Sequence, residues 1–436
     1  MKISTLYTCA QCSYQSSKWL GKCPQCEAWN SFTEEEVKRE SASKKRIQSH
    51  ARTPQDFENI VKNIKSDFRQ KTGIAELDRV LGGGIVAGSM ILLTGEPGIG
   101  KSTLTLQIAD RLCSSGKKVL YVSGEESEDQ IGMRGARLGL GLKNLQLLSE
   151  SNLETILATT AEEKPDFLIV DSIQVVSSQN IPGGAGSVSQ VRLCAETILE
   201  FAKPKRLPVL LTGHVTKDGT LAGPRVLEHL VDVVLYIEGS RTHDFRLLRG
   251  VKNRFGSVSE VGIFEMTSGG LNEIKNPAEF FIKDRQTSSS GSSLIMTIEG
   301  NRPILLEVQA LTNTTVFGYP VRKSSGFDVN RLQLLTAVLQ KHLKANLGNQ
   351  DIYVNVVSGY RLNDPAADLG VCLAILSSYF KKPLPRDLVA VGEIGLSAEI
   401  RTPKELAKLK KEIEKLGLRL NEYTNNLETL VNKYFK

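Results

Sequence analysis

Short, almost wholly apolar runs recur along the middle of the chain: Met90-Ile-Leu-Leu93, Lys118-Val-Leu-Tyr-Val122, Asp166-Phe-Leu-Ile-Val-Asp171, Leu207-Pro-Val-Leu-Leu211 and Val231-Asp-Val-Val-Leu-Tyr-Ile237. Longer amphipathic stretches separate them, beginning with Leu104-Thr-Leu-Gln-Ile-Ala109. Strands covered on both faces read as continuous apolar runs, so the pattern predicts a mostly parallel sheet flanked by helices, an α/β domain over 67–270. Beyond a Ser- and Gly-rich join at Thr287 to Ser293 the pattern changes. Asp328 to Leu343 places Leu332, Leu335, Leu339 and Leu343 on one helical face, Tyr353 to Val357 reads as a strand, and Asp364-Pro365 caps a second helix through Leu376. A connector over 271–293 and a separate α+β domain over 294–436 are therefore expected. Ahead of the sheet, residues 34–66 hold the charge run Glu34-Glu-Glu36, the basic cluster Lys44-Lys-Arg46 and few large apolar residues, which predicts a flexible, solvated linker.

The composition adds a frame. At 436 residues, 40% hydrophobic and 24% charged, the chain has the balance of a soluble globular protein of two or three domains. No apolar run approaches the roughly 18 residues that a bilayer span requires. Cys9 and Cys12 interrupt a polar N-terminus where a signal peptide would need an apolar segment. No membrane association and a cytoplasmic location are expected. A formal charge of +7 permits nucleic-acid binding without requiring it.

The chemistry concentrates after Leu93. Gly95-Glu96-Pro97-Gly98-Ile99-Gly100-Lys101-Ser102-Thr103 matches G-x-x-x-x-G-K-[ST] in full, between a predicted strand and a predicted helix, the context in which that pattern cradles phosphates. Its glycines let backbone N–H groups and the helix N-terminus face the anion. Lys101 would reach the β- and γ-phosphates of ATP, and Ser102 would hold Mg²⁺. Asp171 ends an apolar strand, as the Mg²⁺-directed acid of such a hydrolase should. Glu125, just past Val122, is placed to orient or deprotonate the attacking water, but Glu126 adjoins it and the pattern does not choose between them.

Seven cysteines fall into two groups. Cys9-x-x-Cys12 and Cys23-x-x-Cys26 form paired knuckles whose four thiolates suit a closed tetrahedral Zn²⁺ site, better than two disulfides or a redox pair in a cytosolic protein. Residues 1–33 then read as a four-cysteine zinc ribbon; Gly21 and Pro24, with Trp19 and Trp29 as the only tryptophans in the chain, suggest a small ribbon whose slight core depends on the metal. Cys113, Cys194 and Cys372 stand singly among apolar residues and read as small buried hydrophobes.

The segment from Thr72 to Gly84, the phosphate loop, Tyr121-Val-Ser-Gly-Glu-Glu-Ser127 and Lys252-Asn253-Arg254-Phe255-Gly256 together resemble the bacterial RadA (Sms) DNA repair proteins. The order of parts agrees over nearly the whole chain: zinc ribbon, RecA-like P-loop ATPase core, and a C-terminal domain similar to the Lon protease domain. The resemblance implies a DNA-dependent ATPase, helicase-like, that forms a homo-oligomeric ring, expected to be a hexamer. It would move along single-stranded DNA and promote branch migration of recombination intermediates on branched DNA, alongside a RecA-type recombinase. It also implies that Glu125 is the catalytic glutamate and that Lys252 and Arg254 act on the nucleotide of a neighbouring subunit, where cations neutralise charge on the transferring phosphoryl group.

By the same resemblance, Gln174 to Ser189 and Lys217 to Arg225 correspond to the loops that line a central DNA path. Lys217 and Arg225 would meet phosphates there, without aromatic stacking. His214 matches the position of a γ-phosphate sensor. In the C-terminal domain Ala366, within Asp364-Pro-Ala-Ala-Asp368, occupies the position of the protease's nucleophilic serine, so no acyl-enzyme forms by that route and the domain is expected to be proteolytically inactive. The segment after Arg401 matches weakly. The rival expectation is an ATP-dependent protein-handling machine, a protease or chaperone-like regulator.

Overall fold

The apolar runs become neighbouring strands of one sheet. A computed structural model of the chain describes residues 3–9, 14–16, 18–25, 28–38, 68–214, 224–239, 245–280, 282, 289–316, 318–343, 345–422, 424 and 426–435. The chain divides into two units, Met1–Lys65 and Ser66–Lys436.

In the first unit, β1 (Ile3–Cys9) pairs antiparallel with β2 (Gln15–Ser16) and β3 (Phe32–Lys38). The charge run Glu34-Glu-Glu36, expected in the linker, is instead strand. It lies at an edge of this small sheet, where charges are at home because they discourage further pairing. The rest of the expected linker, including Lys44-Lys-Arg46, lies outside the described residues.

In the second unit, β4 (Arg69–Gln70) and β5 (Ile85–Val86) form a small antiparallel pair around α1 (Ala75–Leu81). There follow β6 (Met90–Gly95), α2 (Lys101–Ser114), β7 (Val119–Ser123), α3 (Glu128–Arg137), β8 (Leu145–Ser149), α4 (Leu153–Glu163), β9 (Phe167–Asp171), α5 (Val188–Ala202), β10 (Val209–His214), α6 (Pro224–Glu228) and β11 (Val233–Glu238). Strands β11-β6-β10-β9-β7-β8 are all parallel. Alternate residues of β6 serve opposite faces. Ile91 and Leu93 pack with Leu104, Ile108 and Leu112 of α2, whereas Met90 and Leu92 pack with the cluster of Ile156 from α4 and Val191 and Ile198 from α5.

The sheet does not stop at β11. Strands β12 (Phe245–Asn253), β13 (Val261–Thr267) and β14 (Gly270–Glu273) extend it antiparallel to nine strands. After α7 (Pro277–Phe280), β15 (Ser292–Glu299) and β16 (Arg302–Thr314) open a second sheet. The first sheet therefore runs past residue 270, and the second begins ahead of 294. Ser292 and Ser293, part of the expected polar join, are buried strand residues. Phe245, Leu247, Val261 and Ile263 of the first sheet share one apolar cluster with Ile295, Ile304 and Leu306 of the second. Arg302 also pairs with the buried carboxylate of Glu76 in α1.

The second sheet continues with β17 (Arg322–Ser325), β18 (Gln350–Val356), β19 (Leu388–Val389) and β22 (Arg419–Leu420), in the order β17-β18-β16-β15-β19-β22, with β20 (Glu393–Ile394) and β21 (Ile400–Arg401) forming a separate pair. It is covered by α8 (Val329–Leu343) and α9 (Asp368–Phe380). Asp364 caps a 3₁₀ turn, Pro365–Ala367, and α9 starts only after it. The tail after Arg401, weak in family resemblance, folds as α10 (Leu406–Lys415), β22 and α11 (Leu427–Phe435).

Candidate functional site

The phosphate loop joins the end of β6 to α2 at the carboxyl edge of the parallel strands, where open α/β sheets bind ligands. Two glycines make its course possible. A Cβ on Gly95 would stand 2.4 Å from the carbonyl oxygen of Ile237, and one on Gly100 would stand 2.7 Å from the terminal methyl of Met266. Gly100 caps α2, so the helix N-terminus opens toward Glu96-Pro97-Gly98-Ile99 and offers unpaired N–H groups to an anion. Lys101 is buried and donates to the carbonyls of Gly95 at 3.0 Å and Glu96 at 3.1 Å. Burial lowers its pKa, while the carboxylates of Asp171 and Glu125 pull in the opposite direction.

Asp171 lies level with Ser123 in the register of β9 against β7. Its carboxylate accepts hydrogen bonds from the Tyr121 hydroxyl at 2.6 Å and the Thr212 hydroxyl at 2.5 Å, so both flanking strands hold it. Burial and the adjacent Asp171 push the Tyr121 phenol well above its ordinary pKa, which keeps it a donor. Glu125 accepts from the Ser172 hydroxyl at 2.7 Å, next to Asp171. Glu126 is drawn instead to Arg134 of α3, 2.5 Å away. The two glutamates that the sequence left equivalent therefore have different partners. A buried ammonium, two carboxylates, the Ser102 hydroxyl and the N-terminus of α2 form a donor set that suits a Mg²⁺–polyphosphate.

The Lys252–Gly256 motif lies at the far end of β12. Asn253 donates to the Val80 carbonyl at 3.3 Å and accepts from Phe255 N–H at 2.9 Å, while Arg69 holds the carbonyls of Leu81 and Phe255. The turn is thereby fastened to the end of α1, where a Cβ on Gly256 would come within 3.4 Å of the Gly82 Cα. Lys252 donates to the carbonyls of Glu228 at 2.6 Å, the last residue of α6, and of Val231 at 2.8 Å, and burial, then the neighbouring Arg254, lowers its pKa. Arg254, about half exposed, lies 3.1 Å from Asp232. Neither cation touches the phosphate loop of its own chain among the described residues.

The loop from Gln174 to Ser189 is organised by buried Gln190. Its amide nitrogen lies within hydrogen-bonding distance of the carbonyls of Ser178, Ile181 and Gly183, at 3.0, 2.6 and 3.0 Å, three acceptors that share its two hydrogens, and its oxygen accepts from Ser178 N–H. Lys217 lies outside the described residues, and Arg225 is placed in α6 by its backbone alone. His214 ends β10 level with Gly95.

In the N-terminal unit, Cys9 and Cys23 are buried in one small cluster with Phe32, Tyr7, Tyr14 and Leu20. Backbone bonds from Cys9 to Tyr14 and from Cys23 to Ala28, both 2.9 Å, close the two knuckle turns. Cys12 and Cys26 lie outside the described residues. Two buried thiols on facing turns fit half of a zinc site. Trp19 and Trp29 are exposed, and the small core is filled by the cysteines, Phe32, the tyrosines and Leu20.

A family model described as an AAA domain matches residues 58–220, and one described as a rubredoxin metal binding domain matches residues 7–34. The DNA repair protein RadA of Bacillus subtilis (strain 168) is 46% identical over 420 residues, 96% of this chain and 92% of that protein. Its counterparts in Streptococcus pyogenes serotype M6 and Listeria monocytogenes serovar 1/2a are 48% and 45% identical, over 95% and 96% of this chain and 91% of each relative. The chain belongs to the DNA repair protein RadA family. As a RadA-family member it is an ATPase with a RecA-like α/β core and an N-terminal zinc ribbon, which implies a nucleotide with Mg²⁺, and zinc. No helix among the described residues is long and apolar enough to cross a membrane.

Sequence reasoning missed the residues that hold the RadA site in shape. Tyr121 and Thr212 carried a faint signal, as polar tips in otherwise aliphatic strands. Ser172 carried none, since its partner Glu125 is distant in sequence.

Proposed function

We propose that this RadA-family protein is a DNA-dependent ATPase and translocase of recombinational repair. It works as a homo-oligomeric ring, a hexamer, on single-stranded DNA, and promotes branch migration of recombination intermediates together with a RecA-type recombinase in the cytoplasm. The observation that carries the reading is the division of charged groups between two places. Lys101, Glu125 and Asp171 gather at the phosphate loop, whereas Lys252 and Arg254 sit at the end of β12, bonded elsewhere in their own chain. A complete hydrolytic site then needs a second subunit to supply the cations.

In this reading the N–H groups from Gly95 to Thr103 and the Lys101 ammonium bind the triphosphate, and Ser102 and Asp171 would hold Mg²⁺, which supplies charge neutralisation when bound. Glu125 orients a water molecule for in-line attack on the γ-phosphorus and takes its proton, and ADP and phosphate leave. Lys217 and Arg225 meet DNA phosphates, giving a salt-sensitive grip indifferent to sequence. Cys9, Cys12, Cys23 and Cys26 hold zinc in a structural role. The C-terminal α+β domain is Lon-protease-like without proteolysis. Supporting this, Ala366 is buried in an apolar cluster with Leu409 and Ile413, which argues against the protein-handling alternative.

The test is the ATPase rate with and without single-stranded DNA at low and raised salt, for the wild type, Lys101→Ala and Arg254→Ala. Stimulation that salt weakens, and that Arg254→Ala loses while still binding nucleotide, supports the motor. Equimolar mixing of the two variants should restore part of the activity, because mixed interfaces pair an intact phosphate loop with an intact Arg254. Stimulation by casein in place of DNA would overturn the reading.

A further inference from the structure

Arg246 stands in β12, separated from β6 in the sheet by β11. Even so, its Nε donates at 3.1 Å to the main-chain carbonyl of Ile99, inside the phosphate loop, and its Nη1 donates at 2.8 Å to the carbonyl of Phe245. Only 5% of Arg246 is exposed. Arginine is among the side chains most rarely buried, because removing its charge from water is costly. Its Nε bond ties β12 directly to the backbone of the phosphate loop.

The Ile99–Gly100 bond is planar and trans, so the Ile99 carbonyl and the Gly100 N–H point in opposite directions. With the carbonyl held by Arg246, the N–H is turned to the other side, at the cap of α2 from which the helix N-terminus opens. Gly100 has φ of +118°, a backbone open to glycine but not to a residue with a side chain. Arg249, three residues along the same strand, makes a useful contrast. Its guanidinium pairs with Glu238 and Glu299, away from the loop.

We propose that Arg246 is a positioning residue for the ATPase reaction: it holds the Ile99–Gly100 peptide so that the Gly100 N–H faces the nucleotide phosphates. Its action passes through the loop backbone, without contact with the substrate. This inference rests on the ATPase reading above.

The experiment uses the full-length protein and a fluorescent N-methylanthraniloyl-ATP with Mg²⁺. Affinity and the melting temperature with and without nucleotide are measured for the wild type, Arg246→Met, Arg246→Gln, Arg246→Lys, Arg249→Met and Lys101→Ala. Arg246→Met and Arg246→Gln should bind at least about tenfold more weakly, the size of one charge-assisted bond, and lose most of the nucleotide-induced rise in melting temperature. Arg246→Lys, which keeps the charge and a donor, should recover most of the affinity. Arg249→Met should melt earlier yet keep wild-type affinity. If Arg246→Met does not fold, Arg246→Gln carries the comparison.

Wild-type affinity in Arg246→Gln, or an equal loss in Arg249→Met, would overturn the proposal. If Lys101→Ala is impaired and the Arg246 variants are not, this inference alone falls. If the wild type does not bind the nucleotide, the ATPase reading falls and takes this one with it.

Discussion

The ion pair between Glu76 of α1, whose carboxylate also holds β13 of the first sheet, and Arg302 of the second sheet links the two layers of the second unit, and removing it should weaken that unit measurably. Side-chain exposure is 4% for Glu76 and 10% for Arg302, so water screens the pair little. The Glu76 carboxylate also accepts the Ile263 N–H at 2.9 Å, and Arg79 lies 3.7 Å from its other oxygen. In Glu76→Ala a buried guanidinium and a strand N–H both lose their acceptor. Breaking a buried pair from one side costs about 3–5 kcal/mol, because the surviving charge stays buried without its counter-ion. At roughly 2 °C per kcal/mol for a unit this large, the melting temperature should fall by about 6–10 °C in scanning calorimetry. The double variant Glu76→Leu with Arg302→Met, which removes both charges, should regain most of that loss. A fall under 2 °C in Glu76→Ala, or a double variant less stable than either single one, would refute the claim that this pair carries the joint.

Glu125→Gln should lower the hydrolysis rate at least about a hundredfold, the usual worth of a general base. Glu126→Gln should stay within a few-fold of wild type, and steady-state turnover separates the two. Because burial lowers the pKa of Lys101 in the free protein and bound polyphosphate raises it again, nucleotide binding should take up a proton in the alkaline range. Affinity should then fall as pH rises through the free-protein value toward the ordinary lysine range, and calorimetry in buffers of different ionisation enthalpy measures the uptake; no uptake would count against Lys101 meeting phosphate. Burial, helped by Asp110 and Glu154 respectively, pushes the Cys113 and Cys194 thiols up to about 11. Neither should react with iodoacetamide at pH 8 in the folded protein, whereas the four N-terminal cysteines should become reactive once a chelator removes zinc, as peptide mapping by mass spectrometry would reveal.

The parts legible in the sequence were those whose cause is local. Strands such as Phe167–Asp171, buried on both faces, have to be apolar throughout, and the phosphate loop is one contiguous pattern. What escaped was written across distance. Strand β12 opens Phe-Arg-Leu-Leu-Arg, and its two arginines disguise a buried strand because the groups that justify them, the Ile99 carbonyl and the Glu238 and Glu299 carboxylates, lie elsewhere in the chain. Glu34-Glu-Glu36 looked like solvated linker because nothing in three adjacent carboxylates announces pairing with β1. The difference between Glu125 and Glu126 likewise lies in their partners, Ser172 and Arg134, which no spacing rule would have nominated.

The apolar cluster common to the two sheets bears on how the C-terminal region can be studied by deletion. Cutting the chain near residue 290 would strip the cover from Phe245, Leu247, Val261 and Ile263, and Phe245 would lose its stacking partner Tyr360, whose ring centre lies 6.2 Å away. Each such side chain returned to water costs about 1.5–3 kcal/mol, so four of them rival the whole net stability of a typical domain. A truncated protein that neither hydrolyses ATP nor binds DNA would therefore say little about what the missing region does. Point substitutions on its outer surface, which leave the common core closed, are the informative way to divide the labour between the two halves.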